Sequence, residues 1–131
     1  MILLDTCALV FDALAPDRLS SRALRVIEKG DASGALACSD ISLWEIAMLV
    51  GKGRLAPGTD ILSFLRLVLA SRMVRTLSIS PEIARISADD VLFAHHDPAD
   101  RIIAGTALHY RAPLVTCDES LQAVKSLKII W

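Results

Sequence analysis

Ile2-Leu3-Leu4-Asp5-Thr6 decides how the rest of the chain is read. Three large aliphatics in succession, too few for a helix, fit a strand covered on both faces. An acid at the end of such a strand lies where a parallel sheet opens towards its ligand. The same arrangement returns in Leu114-Val115-Thr116-Cys117-Asp118, another apolar run that stops at an acid. Ala35 to Cys38 and Val74 to Ile79 also have strand length, and Lys128 to Trp131 makes a fifth such segment.

Helical spacing fills the intervals. Ser20 to Lys29 gathers Ala23, Val26 and Ile27 on one face and meets a stop signal at Gly30. Ser42 to Val50 is apolar nearly all round, and Asp60 to Ala70, Pro81 to Leu92 and Ala99 to Tyr110 follow, with a short turn at Glu119 to Val124. Strands alternating with helices predict an α/β sandwich whose sheet is mainly parallel. At 131 residues, one domain spanning 1–131 is expected.

Composition narrows the function classes. With 53% apolar and 22% charged residues the chain can form a core, so wholesale disorder is excluded. No apolar run approaches the roughly 20 residues of a membrane-spanning helix. The opening residues lack a basic leader with a long apolar stretch, so a cytoplasmic location is expected. Cys7, Cys38 and Cys117 show no C-x-x-C spacing and read as small buried hydrophobes, with strand alternation turning Cys117 away from Thr116 and Asp118. A net charge of −1 neither marks nor excludes a nucleic-acid binder, which needs only a local basic patch.

Four acids carry the chemistry. Asp5 ends the first strand, Glu45 lies one turn into the helix after the second, Asp100 opens the helix after Pro98, and Asp118 follows Leu114-Val115-Thr116. Each has a local use. Asp5 and Asp118 read as helix caps, Ser42-Leu43-Trp44-Glu45 has capping-box spacing, and Asp97-Pro98-Ala99-Asp100 pairs a cap with a proline at the first helical position. Yet all four also fall at the carboxyl edge of a parallel sheet, and carboxylates gathered there repel one another unless a divalent cation keeps them ionised. Carboxylate oxygens without imidazole or thiolate suit hard cations, which points to Mg²⁺ or Mn²⁺. Thr6, Ser42 and Thr116 are expected to support the acids through their hydroxyls.

Taken in order, Ile2-Leu3-Leu4-Asp5-Thr6, Ser39-Asp40-Ile41-Ser42-Leu43-Trp44-Glu45-Ile46-Ala47, His95-His96-Asp97-Pro98-Ala99-Asp100-Arg101-Ile102-Ile103-Ala104 and Leu114-Val115-Thr116-Cys117-Asp118 resemble the successive signatures of PIN-domain ribonucleases. Specifically, the chain resembles VapC-type toxins of type II toxin–antitoxin systems. The resemblance runs from Met1 to about Leu121. It implies a PIN-like three-layer sandwich on a five-stranded parallel sheet, and a metal-binding active site of Asp5, Glu45, Asp100 and Asp118. It further implies hydrolysis of RNA phosphodiester bonds to 5′-phosphate and 3′-hydroxyl ends, a toxin homodimer, and a cognate antitoxin that covers the site. One departure lies at Met48-Leu49-Val50, where many relatives carry a basic residue; here the basic residues come later, at Lys52 and Arg54.

The rest of the surface offers alternatives. Arg18, Arg22, Arg25 and Lys29 recur at roughly helical spacing, as an RNA-contacting ridge or as a solvated face balanced by Asp17, Glu28 and Asp31. Arg101 is a candidate phosphate contact or the partner of a neighbouring carboxylate. His95 and His96 read as exposed loop residues, and His109 as a helix-surface residue. The helix through Ile61 to Leu69 is apolar on more faces than one core contact requires, which suggests a protein interface at Phe64 and Leu67. Two rival functions stand beside the nuclease. One is an inert RNA- or protein-binding PIN-like module, and the other a phosphotransfer enzyme using Asp5 as nucleophile, for which the D-x-D-x-T motif is missing.

Overall fold

The structure, a computed structural model, describes residues 1–131. Strands β1 (Ile2–Leu4), β2 (Leu36–Ser39), β3 (Arg75–Leu77), β4 (Leu114–Val115) and β5 (Ile129–Ile130) form one sheet in the order β3-β2-β1-β4-β5. Every pairing is parallel, with Leu3 opposite Ala37 on one side and Leu114 on the other. The chain moves outward from β1 through β2 to β3 and then returns to the far side of β1 for β4. That reversal sets a switch point between the carboxyl ends of β1 and β4.

Helices α1 (Thr6–Leu14), α2 (Ser21–Ala32), α3 (Ile41–Gly51), α4 (Ile61–Ser71), α5 (Pro81–Ser87), α6 (Asp90–Phe93), α7 (Pro98–Tyr110) and α8 (Glu119–Gln122) cover both faces. Successive strand residues point to opposite sides, so β1 feeds two cores. Leu4, with Leu36, Cys38 and Val115, packs against Ala8 and Leu9 of α1, Ile27 of α2, Ile46 of α3 and Phe64 and Val68 of α4. Leu3, with Ala37 and Leu114, packs against Phe93, Leu121 and Ile103, Ala104 and Ala107 of α7. The expected three-layer α/β sandwich with five parallel strands is the fold observed.

The helix that the Asp5 cap implied runs from Thr6 to Leu14; its Cys-Ala-Leu-Val-Phe run is apolar without 3.6-residue periodicity, so its extent left no pattern to read. Two local expectations are corrected. Gly30 does not stop α2, which continues to Ala32. Its role is close approach, since a Cβ there would stand 2.5 Å from Leu36 Cδ2, and the chain turns instead at Gly34 with φ +66°. The helix expected over Pro81 to Leu92 divides into α5 and α6, because Asp89 accepts from Val91 N and Leu92 N and caps a new start.

Candidate active site

Asp5 leaves β1 in extended conformation and caps α1, its Oδ1 accepting from Thr6 N–H at 2.8 Å. Its second oxygen accepts from the Thr116 hydroxyl at 2.6 Å and the Cys7 thiol at 3.4 Å, and the residue is only 4% exposed. Thr116 in turn accepts from Asp118 N–H at 3.0 Å, so one hydroxyl just beyond β4 ties Asp5 to the start of the loop that carries Asp118. Asp118 then caps α8, Oδ1 accepting from Ser120 N at 2.8 Å and Ser120 Oγ at 2.6 Å.

Glu45 comes from α3. The Thr6 hydroxyl donates to Glu45 Oε1 at 2.6 Å and lies 3.0 Å from Ser42 Oγ. The spacing of Ser42 and Glu45 therefore does not make a capping box. Ser42 is inside α3, and both side chains turn towards the amino end of α1. Asp97 caps α7 by accepting from Asp100 N–H at 2.8 Å, which fixes the backbone of Asp100 in the first turn.

Asp5, Glu45, Asp100 and Asp118 all line one cleft of about 360 Å³ at the switch point, walled on its apolar side by Val10, Phe11, Leu49 and Leu55. For Asp5 and Asp118 capping and gathering are thus compatible: helices that begin at the carboxyl edge of the sheet deliver these capping acids to the cleft. Burial pushes the Asp5 carboxyl above its ordinary range, against the hydrogen bonds from Thr116 and Thr6. Burial likewise raises Glu45, opposed by the Thr6 hydroxyl and reinforced by Asp5, Asp97 and Asp118. Asp100 is pushed up to about 7, first by burial and then by the charges of Asp97, Asp118, Asp5 and Glu45. Like charges acting on one another in this way define an electronegative pocket suited to a cation. No three of the acids close on a single coordinating point in this conformation; Asp5 and Asp118 are turned to their own donors, and four like charges repel. The donor set itself, all carboxylate oxygen, fits a hard divalent ion.

Cys117 corrects the alternation argument. The strand ends at Val115, so Cys117 does not turn away but lines the acid cleft together with Cys7, whose sulfur accepts from Cys117 N–H at 3.3 Å. Burial and the neighbouring Asp5 drive the Cys7 thiol far up, which keeps it a protonated wall and not a thiolate ligand. Only Cys38 is the fully buried hydrophobe expected of all three.

Of the candidate RNA contacts, Arg101 takes the carboxylate partner, with Nη1 at 3.0 Å from Asp90 Oδ1 and further bonds to the His96 and Ser87 carbonyls. Arg22 and Arg25 lie exposed on α2, and Arg18 stacks 4.3 Å above the ring of Phe11, a wall of the cleft. His96 is not a free loop residue; its Nε2 pairs with the Ser120 carbonyl at 2.9 Å. Phe64 belongs to the core, and the exposed apolar face of α4 is instead Ile61, Leu62 and Leu67. Phe11, Leu49 and Leu55 escaped the sequence reading because nothing in an apolar residue type distinguishes a cleft wall from a core.

Residues 2–127 match the PIN domain family. The chain is 34% identical over 122 residues to the ribonuclease VapC22 of Mycobacterium tuberculosis, covering 93% of this chain and 90% of that one. Its fold is similar to that in the crystal structure of VapBC2 from Rickettsia felis bound to a promoter DNA fragment, with a TM-score of 0.72 and 19% identity over 98% of this chain and 97% of the other. A toxin–antitoxin complex from Klebsiella pneumoniae aligns with a TM-score of 0.63 at 22% identity, covering 97% and 95% of the two chains.

Proposed function

Because the chain belongs to the PIN domain family, we propose that it is a metal-dependent endoribonuclease, the toxin of a type II toxin–antitoxin pair held in check by a protein antitoxin. The observation that carries the reading is the meeting of Asp5, Glu45, Asp100 and Asp118 in one cleft at the sheet's switch point. Its likeness to a ribonuclease over nine-tenths of the chain supports RNA as substrate, and its likeness in fold to toxin–antitoxin complexes supports the antitoxin.

Asp5, Asp100 and Asp118 would hold Mg²⁺ or Mn²⁺, with Glu45 at the edge of the set. When bound, the cation supplies charge neutralisation at the phosphate and lowers the pKa of an attacking water. The chain's own residues do the positioning. Thr116 and Thr6 N–H fix the Asp5 carboxylate from two sides. The Thr6 hydroxyl occupies Oε1 of Glu45, leaving Oε2 to accept a proton from water. Asp100 has its backbone held by Asp97 while no protein donor engages its carboxylate, so it is the acid freest to turn towards an ion. Val10, Phe11, Leu49 and Leu55 limit water in the cleft and so strengthen these interactions. A homodimer and a cytoplasmic location belong to the same reading; no helix is long and apolar enough to cross a membrane.

Asp5→Asn tests the reading. The variant keeps an acceptor for the α1 cap, so circular dichroism should be unchanged while cleavage of single-stranded RNA with Mg²⁺ or Mn²⁺ falls by at least about a hundredfold. A correctly folded variant with full activity would reject the site.

A further inference from the structure

Trp44 precedes Glu45 on α3, yet its side chain is not in the core: the residue is 56% exposed. An indole left in water forgoes the burial that makes tryptophan stabilising, so its position calls for a use. Two depressions flank it. One, of about 290 Å³, is lined by Trp44, Met48, Lys52, Arg54 and the acid Asp97, and shares Glu45 and Leu49 with the acid cleft. The other, of about 260 Å³, runs from Trp44 and Glu45 past Asp97 to Pro98 and Ala99, at the start of the helix that carries Asp100. The indole therefore stands as a partition beside the cleft, with open space against it on both sides.

The charges beside it select the occupant. The ion pairs of the molecule involve Arg72 and Arg101, whereas neither Lys52 nor Arg54 has a carboxylate within ion-pairing distance. Two cations free of ion pairs, in a depression that shares Glu45 with the acid cleft and also holds Asp97, are the complement of a polyanion that must approach four carboxylates. An aromatic face beside cations is the combination that holds unpaired nucleic acid, the base stacking and the phosphates pairing. Resting on the ribonuclease reading, we propose that Trp44 is a stacking platform for an unpaired RNA base next to the scissile phosphate, and that Lys52 and Arg54 receive the adjoining phosphates. A base inside a duplex offers no free face to the indole, so single-stranded RNA is the substrate form selected.

The test uses the full chain with Trp131→Phe, which leaves Trp44 as the only emitter of the two tryptophans, and Asp118→Asn to prevent turnover while retaining a helix cap. The probe is a mixed-sequence single-stranded RNA oligomer, titrated in Mg²⁺. Expected are quenching of Trp44 fluorescence on binding, a rise in Kd of about tenfold on Trp44→Ala with recovery in Trp44→Phe, and a shallower salt dependence on Lys52→Ala with Arg54→Ala, by about one unit of slope per cation. Unchanged Kd in Trp44→Ala would overturn the proposal, as would a change in molecular mass on light scattering with RNA affinity intact, which would make the shelf a contact between copies. Binding is read without cleavage, so failure of the Asp118-intact chain to cut the same oligomer would sink the nuclease reading alone and leave the shelf to be judged by affinity.

Discussion

Asp100 shows what a single residue costs here. Its carboxyl is raised from an ordinary 3.8 to about 7 by burial and by the acids around it. Between those values the folded chain holds a proton that the unfolded chain has released, so stability is fully present below about pH 4 and declines as pH rises through 7. The metal-free chain should therefore melt at a progressively lower temperature from pH 5 to pH 8, and Asp100→Asn should flatten that slope and raise Tm at pH 8. Melting curves in chelator decide it; a wild-type Tm that rises with pH would contradict the assignment. Placing Asp100 among these acids therefore costs the folded chain stability at neutral pH.

At the scale of the element, three of the four acids owe their place to a helix start, and Glu45 is held from within α3 by the Thr6 hydroxyl. Asp5 and Asp118 cap the helices they precede, and Asp97 does the same for the helix of Asp100. This is why so much of the site was legible: caps, strand ends and acids coincide in the sequence, and the ordered set of four could be read before any geometry. What could not be read was decided by packing between distant segments. The helix from Thr6 to Leu14 is apolar on too many sides to show a period, and Cys117 turns towards the cleft because the strand ends at Val115, before alternation can reach it. Gly30 looked like a terminator and is a contact, with Leu36 Cδ2 2.5 Å and Ile2 Cδ1 3.1 Å from the Cβ it lacks. Gly30→Ala gains about 1 kcal/mol of helix propensity but overpacks a buried leucine, a cost of about 1–3 kcal/mol. A net loss of about 1 kcal/mol in denaturant unfolding is expected, and a stabilised variant would show that Leu36 can move aside.

For the molecule as a whole, apolar surface is exposed on α4 as well as beside the acids at Trp44. Leu62 and Leu67 are 56% and 59% exposed on α4, while Phe64 and Val68 of the same helix close the core. An interface mapped through Phe64 would therefore report unfolding and not partner loss. Leu62→Asp with Leu67→Asp should leave the melting temperature nearly unchanged and alter either the mass of the free chain or its capture by the cognate antitoxin. If both stay as in the wild type, α4 is not a partner surface.

Calorimetric titration of Mn²⁺ into the pure chain at pH 8 probes the central claim, that the separated acids close around a hard divalent cation. Saturable uptake is predicted, lost or weakened at least about tenfold by Asp100→Asn, together with RNA cleavage that stops in chelator. RNA cut equally well in chelator, with no specific uptake of Mn²⁺, would contradict it.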